Sequence, residues 1–255
     1  MPVNHDKNII EVKNVSFSYD HDQVLKDISL TVHEGDYLGI IGPNGSGKTT
    51  LLKIILGLLK PSKGDIKLFG SSCLCANEWS KIGYVPQKAT NFDPLFPATV
   101  FEVVAMGRYG KKGLFKQLNK EDREIIQTSL EQVEMDNFRD RLIGDLSSGQ
   151  QQRVFIARAL AGEPEVIILD EPTVGIDVKT QEQFYALLKR LNQEFGLTLV
   201  IVSHDINAIA SEVTELACIN QTLIYHGNPE EFLKGDYVEK LYGKNVRFIH
   251  LHHDH

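Results

Sequence analysis

Apolar and polar residues alternate along residues 9–17, with Ile10, Val12, Val15 and Phe17 on the apolar side, and again along residues 24–32, with Leu25, Ile28, Leu30 and Val32. This period of two predicts antiparallel strands with one face on a core. The pattern then changes. Residues 37–41 form a short apolar run ending in a glycine-rich turn, and residues 49–59 continue as an apolar helix for which Pro61 is the expected stop. Between Phe92 and Gly162 strand-like runs vanish, and Ile126, Leu130 and Val133 share one helical face behind a candidate N-cap, Asn119. Strand patterns return at residues 165–169 and 198–202, separated by a helix carrying Phe184, Leu187, Leu188, Leu191 and Phe195, with Gly196 as its stop. Apolar strands alternating with helices predict a parallel sheet covered on both faces. The expected fold class is α/β: a parallel sheet core with an antiparallel β subdomain and an inserted helical subdomain.

The length of 255 residues suits one composite domain. The net charge of −7 provides no positive field for a polyanion, so no nucleic acid partner is expected. The N-terminus has no apolar signal core and no apolar run is long enough to cross a bilayer, which predicts a soluble, cytosolic chain. Three cysteines do not make a disulfide framework; Cys73 and Cys75 could share one face of an extended segment, but no second pair completes a metal site, and they are read as ordinary thiols.

The chemistry concentrates in two polar turns and one acidic strand end. Gly42, Pro43, Asn44, Gly45, Ser46, Gly47, Lys48 and Thr49, followed by Thr50, form a complete P-loop between a predicted strand and a predicted helix. Its glycines let backbone N–H groups point inward at phosphate oxygens, and the helix adds its positive end. Lys48 is expected to reach the β- and γ-phosphates of ATP, and Thr49 to ligate Mg²⁺. The run Leu146, Ser147, Ser148, Gly149, Gln150 is a second glycine-containing turn leading into a helix that starts near Gln150. Asp170 and Glu171 follow the strand at residues 166–169, where a carboxylate can hold a metal's water shell away from bulk solvent. There Asp170 is expected on the Mg²⁺ side and Glu171 as the base that polarises the attacking water.

The order P-loop, Leu146 to Gln150 turn, Asp170–Glu171 strand end and His204 after a further strand resembles the nucleotide-binding subunits of ABC transporters, over about residues 9–245. The resemblance implies a RecA-like core and a homodimer sandwiching two ATP, each site using one copy's P-loop and the other copy's signature turn: Ser147, Ser148, Gly149 and Gln150. It implies that Tyr19 stacks on adenine, Gln87 touches Mg²⁺ and the attacking water, His204 contacts the γ-phosphate, and Asp177 crosses between the two sites. The implied organisation is residues 1–86 as the first part of the nucleotide-binding core, 87–163 as the helical subdomain with the signature turn, 164–241 as the second part of the core, and 242–255 as a histidine-rich tail. One departure stands out: the usual Leu-Ser-Gly-Gly-Gln carries Ser148 at its first glycine, and if that position needs φ > 0 the serine costs on the order of 1 kcal/mol.

The family has no transport path in this subunit, so the resemblance implies an integral membrane permease as partner, an extracytoplasmic metal-binding protein reached through it, and a place on the cytoplasmic face of the cell membrane. Phe92, Pro94, Leu95, Phe96, Pro97 and residues 106–109 lie where the family docks a permease helix; subdomain packing explains the same residues. His250, His252, His253 and His255 form a tail that could coordinate Zn²⁺ or simply be a polar extension. Residues 106–109 and this histidine-bearing end resemble the ATPases of bacterial zinc and manganese uptake systems, zinc in particular. Manganese, iron or siderophore cargo stays open. So does a different class, a regulatory ABC protein without a permease, against which stand the single cassette, the acidic balance and the lack of heptads.

Overall fold

The computed structural model describes residues 3–72, 76–87, 96–113 and 116–237. Cys73, Cys75, Phe92, Pro94, Leu95 and the tail histidines lie outside the described residues. The chain runs β1 (Asn4–Tyr19), β2 (Asp22–Glu34), β3 (Tyr37–Ile41), α1 (Lys48–Ile55), β4 (Lys63–Leu68), α2 (Ala76–Trp79), β5 (Ile82–Val85), α3 (Val100–Ala105), α4 (Tyr109–Lys112), α5 (Lys120–Gln132), α6 (Ser148–Ala161), β6 (Val166–Asp170), α7 (Val178–Phe195), β7 (Thr198–Ser203), α8 (Ile206–Ala210), β8 (Glu215–Asn220), β9 (Thr222–Gly227) and α9 (Pro229–Lys234).

A three-stranded antiparallel sheet has the order β2-β1-β4, and a six-stranded sheet the order β5-β6-β7-β3-β8-β9, parallel throughout except at the β8–β9 hairpin. The parallel strands are apolar at almost every position because each face meets a different core. Leu38 and Ile40 of β3, Val166 and Ile168 of β6, and Val200 and Val202 of β7 face the antiparallel sheet and α1. Ile41, Ile167, Leu169, Leu199 and Ile201 face the helical side, packing with Val100, Ile126, Leu130 and Phe155.

In β1 and β2 the predicted alternation slips by one between Val12 and Val15 and between Leu25 and Ile28. There the β1–β2 ladder shifts register, with Asn14 and Asp27 both at φ near +49°. Side chains satisfy the displaced backbone: Ser29 Oγ accepts from Asn14 N at 2.8 Å and Ser16 Oγ from Asp27 N at 3.0 Å. All eight apolar positions read from the alternation are buried.

Two helix ends differ from expectation. α1 stops at Ile55 rather than near Pro61, because Gly57 at φ +63° turns the chain out of the helix: Gly57 N donates to Ile54 O and Leu58 N to Lys53 O, a pair of hydrogen bonds that caps the helix end. Phe195 does not join the buried face of α7 and is 50% exposed, since it falls in the last turn beside Gly196. Asn119 caps α5 through a reciprocal pair with Asp122. Within residues 106–109, Arg108 is buried, donating to Asp122 Oδ1 (3.1 Å), Ala161 O (2.8 Å) and Glu163 Oε2 (2.7 Å), while Met106 and Tyr109 are exposed. This short stretch therefore does two jobs: its arginine locks α5 to the end of α6, and its apolar residues face outward.

Candidate functional site

The carboxyl ends of β3, β5, β6 and β7 lie side by side, so the segments leaving them converge. The P-loop leaves β3. Gly47 sits at φ +100°, and a Cβ there would lie 2.6 Å from Leu25 Cδ2 and 2.9 Å from Val24 O, so a side chain is excluded by both conformation and space. The resulting cavity, about 310 Å³, is lined by Val24, Asn44, Gly45, Ser46, Gly47, Lys48, Thr49, Thr50 and Glu171. Gly42 and Pro43 contribute carbonyls that accept from Lys48 Nζ at 2.8 and 3.0 Å. Ser46 Oγ is buried with no hydrogen-bond partner, a polar atom suited to an incoming phosphate.

Asp170 ends β6 and is 4% exposed; its Oδ1 lies 3.4 Å from Thr49 Oγ1. Burial, reinforced by the Glu171 charge, pushes the Asp170 carboxyl above its usual range, and burial lowers Lys48 against the pull of Glu171 and Asp170. Both charges are thus held in a setting that favours an added ligand charge. Glu171 occupies the left-handed region at φ +45°, with its N–H on Val202 O at 3.0 Å. A glutamate held there costs about 1 kcal/mol or more, strain of the kind that gathers at working sites. Its Oε2 accepts from Gln87 Nε2 at 2.9 Å and lies 3.7 Å from His204 Nδ1, so segments leaving β5, β6 and β7 meet on one carboxylate oxygen. Thr49 Oγ1 and Asp170 Oδ1, hard oxygens 3.4 Å apart beside the cavity, are donors of the kind a hard cation such as Mg²⁺ takes.

The other expected residues are not brought into this cavity. Tyr19 is 45% exposed at the β1–β2 turn, edge-on to Phe17 at 4.8 Å, and does not line the cavity. The signature turn also lies outside it, at the start of α6. Ser147 is the N-cap: its Oγ accepts from Gln150 N (3.3 Å), and Gln150 Oε1 accepts from Ser147 N (3.0 Å). The helix therefore starts at Ser148, two residues before the expected start. Ser148 is absent from the left-handed residues, so it carries no φ > 0 strain. Gly149 is the sterically demanding position, since a Cβ would sit 2.4 Å from Thr180 Cγ2 in the first turn of α7. Asp177 caps that same helix, accepting from Thr180 N at 3.0 Å, and hydrogen bonding by Thr180 holds its carboxyl below the usual range. Asp177 and Gly149 thus share Thr180 as a neighbour, which sequence spacing did not signal. Val24 was also missed as a cavity residue, because its place beside the P-loop depends on how β2 packs against residues distant in sequence.

Comparison with known proteins bears on the same features. The ABC transporter family matches residues 25–174. The zinc uptake system ATP-binding protein of Listeria monocytogenes is 51% identical over 226 residues, 89% of this chain and 88% of that protein. The manganese transport system ATP-binding protein of Synechocystis is 41% identical over 235 residues, 92% of this chain and 90% of that protein. A solved dimeric structure of a bacterial ABC transporter cassette superposes with a TM-score of 0.71 at 35% identity, covering 86% of this chain and 98% of that one. With the P-loop cavity, the strand-end carboxylates and the separate Ser147 turn inside or beside the matched span, the chain belongs to the ABC transporter family.

Proposed function

We propose that this chain is the ATP-hydrolysing subunit of an importer that carries a divalent transition-metal ion, zinc in the first instance, through a separate membrane permease. Zinc is favoured over manganese because the zinc uptake relative shares 51% identity and the manganese relative 41%. No helix among the described residues is long and apolar enough to cross a membrane, in keeping with peripheral attachment to a permease on the cytoplasmic face. A groove of about 350 Å³ lined by Pro97, Phe101, Met106, Tyr109 and Leu118 is where that permease's helix would dock. An extracytoplasmic metal-binding protein would meet the permease, not this chain.

The observation that carries the hydrolytic reading is the convergence of Gln87 and His204 on Glu171 Oε2 beside the P-loop cavity. Glu171 accepts a proton from water as the water oxygen bonds to the γ-phosphorus; the bond from that phosphorus to the β–γ bridging oxygen breaks, and ADP leaves with the electron pair. Gln87 donates to the Glu171 oxygen and would orient it, and His204, 3.7 Å from the same oxygen, would donate to a γ-phosphate oxygen. Lys48 exchanges its carbonyl partners in the loop for β- and γ-phosphate oxygens. Thr49, Asp170 and Gln87 would hold Mg²⁺, which when bound neutralises charge on the β- and γ-phosphates.

One chain supplies only one side of this site. A second copy, facing it with Ser147, Ser148, Gly149 and Gln150, would close the cavity, with Asp177 near the junction and Tyr19 against adenine. The Ser147 hydroxyl accepts from Gln150 N and keeps its own proton to donate. Glu171→Gln tests the reading: ATP turnover should fall by about 10² to 10⁴ while ATP still binds. The variant should also accumulate as an ATP-bound dimer in light scattering. Undiminished turnover, or a strictly monomeric ATP-bound variant even with its permease, would overturn it. Cargo is tested by ATPase stimulation and uptake in the reconstituted complex with Zn²⁺, Mn²⁺ and Fe²⁺ side by side; no preference for Zn²⁺ would reject the zinc assignment.

A further inference from the structure

The opposite edge of the central sheet, where its parallel strands begin, carries a second cluster that the nucleotide site does not use. His33 lies near the end of β2, Asp36 immediately precedes β3, Glu215 opens β8 and His226 lies in β9. The candidate ligand atoms of His33, Asp36 and Glu215 all lie within 4.8 Å of one another. His33 Nδ1 is 3.3 Å from Asp36 Oδ2, and His226 Nε2 is 3.1 Å from Glu215 Oε2, yet none of His33 Nδ1, Asp36 Oδ1, Glu215 Oε2 or His226 Nε2 makes an aligned hydrogen bond, and all four atoms are buried.

His226 faces Glu215 and His33 faces Asp36 Oδ2 as ion-pair contacts, which leaves Asp36 Oδ1 as a buried carboxylate oxygen that is costly unless a partner satisfies it. Asp36 is fully buried and its Oδ2 already accepts the His33 backbone N–H at 2.6 Å, while its Oδ1 has no hydrogen-bond partner. Among the described residues no lysine or arginine lies within ion-pair distance of Asp36 or Glu215, whereas the neighbouring Glu34 is held by Lys7 at 2.7 Å. Among the described residues the basic groups in ion-pair contact with Asp36 and Glu215 are therefore imidazoles, those of His33 and His226.

The platform is rigid. Thr198 Oγ1 accepts from Gly35 N (3.0 Å), Asn192 Nδ2 donates to Gly35 O (2.8 Å), and Leu199 N donates to Asp36 O (2.8 Å), so the turn carrying His33 and Asp36 is fixed from three sides. Asn192 belongs to the last turn of α7, whose negative end thus lies beside this turn and favours a cation.

We propose that His33, Asp36 and Glu215 bind a borderline divalent cation of the Zn²⁺ class, with His226 positioning Glu215. One imidazole and two carboxylates, completed by water, match the N/O ligands such an ion accepts. Ligand atoms around one such ion stand about 3.4 Å apart, so the cluster contracts only modestly on binding. The ion joins β2 of the antiparallel sheet to β3 and β8 of the central sheet. It is distinct from transported cargo, which passes through the permease, and from the Mg²⁺ of the nucleotide site at the other edge.

The test uses the full chain, stripped with chelator, with His250, His252, His253 and His255 changed to alanine so that the tail cannot bind. Co²⁺ titration followed by visible absorption, and Zn²⁺-dependent thermal unfolding, should show one equivalent bound and a raised melting temperature. His33→Gln and, separately, Glu215→Gln should weaken binding by more than about 100-fold, beyond what loss of an outer partner usually costs. Matching melting temperatures of parent and variant in chelator, together with retained ATP turnover, show that each variant is folded; two variants keep the test open should one misfold. Failure of the tail-altered chain to bind either ion, or unchanged binding in both variants, would overturn the site. Neither result alters the Glu171→Gln expectation, so the two readings fail separately.

Discussion

Residues 42–49 and residues 147–150 both lead a glycine-containing turn into a helix N-terminus, but the two termini are finished in opposite ways. α1 begins at Gly47 with no side-chain cap and no acid in its first turn, so its N–H groups are left to a ligand, and Lys48 and the Asp170–Glu171 strand end crowd around it. α6 begins at Ser147 with a reciprocal Ser147–Gln150 cap and lines no part of that cavity. An uncapped terminus with a lysine beside it can hold a phosphate within one chain. A capped terminus packed on Thr180 is a preset rim with donors but no cavity, and it gains one only when another surface faces it. The contrast supports the proposed two-copy arrangement, in which each terminus meets what the other lacks.

The sharpest way to break this contrast is Lys48→Ala. Loss of the Lys48 cation from the cradle should lower ATP turnover by about 10² to 10³-fold, the range for removing a single donor to developing charge. ATP affinity of the isolated chain should fall with it. Changes in the signature turn should leave monomer ATP affinity within about twofold, since none of its residues lines the cavity. Steady-state turnover and nucleotide titration check both halves; a Lys48→Ala chain within tenfold of the parent would remove the distinction.

The second test addresses how tightly the rim is set. Gly149→Ala places a methyl 2.4 Å from Thr180 Cγ2, a branched and stiff side chain, and should destabilise the chain by about 1–3 kcal/mol in urea unfolding. Adding Thr180→Ala removes the obstructing methyl and should restore most of that loss. A Gly149→Ala chain as stable as the parent would show that α7 yields freely and that the rim is not preset.

The P-loop was legible because its chemistry is local: glycines, lysine and threonine adjacent in sequence, with a strand before and a helix after. The parallel strands were legible because both of their faces are buried, which leaves uninterrupted apolar runs at residues 166–169 and 198–202. What escaped was set by geometry across the chain. The slips at Asn14 and Asp27 depend on how β1 and β2 register against each other, and the early end of α1 depends on Gly57 adopting φ +63° where Pro61 looked the stronger signal. Asp177 acts as a helix cap through Thr180, a contact that motif matching does not weigh. The His33, Asp36 and Glu215 cluster joins residues far apart in sequence and has no spacing to find. Glu171 stood out as an acid at a strand end, but its left-handed backbone and its shared oxygen with Gln87 and His204 exist only once β5, β6 and β7 are aligned.

Ser147→Ala sharpens the comparison at a smaller scale. It removes the oxygen that accepts Gln150 N and should cost about 1 kcal/mol of stability, the usual value for an N-cap. Because the same hydroxyl would donate to the facing copy's phosphate, ATP-driven dimer formation should weaken further than stability alone accounts for. Sedimentation of the Ser147→Ala, Glu171→Gln double variant with ATP separates the two effects. A dimer of undiminished strength would leave Ser147 a cap and nothing more.

Ser148→Gly has the smallest expected effect and bears directly on the departure from the usual signature. A backbone strained by serine would be relieved by glycine, with a gain on the order of 1 kcal/mol. Ser148 instead occupies the first position of α6 outside the left-handed region, where its Cβ is accommodated and glycine only adds freedom to the unfolded chain. The change should therefore move stability by less than about 0.5 kcal/mol, toward loss, and turnover by less than about twofold. Urea unfolding resolves the sign: a clear gain would mean that the turn is strained at serine, and that Ser148 rather than Gly149 is the position where this rim departs from its preferred shape.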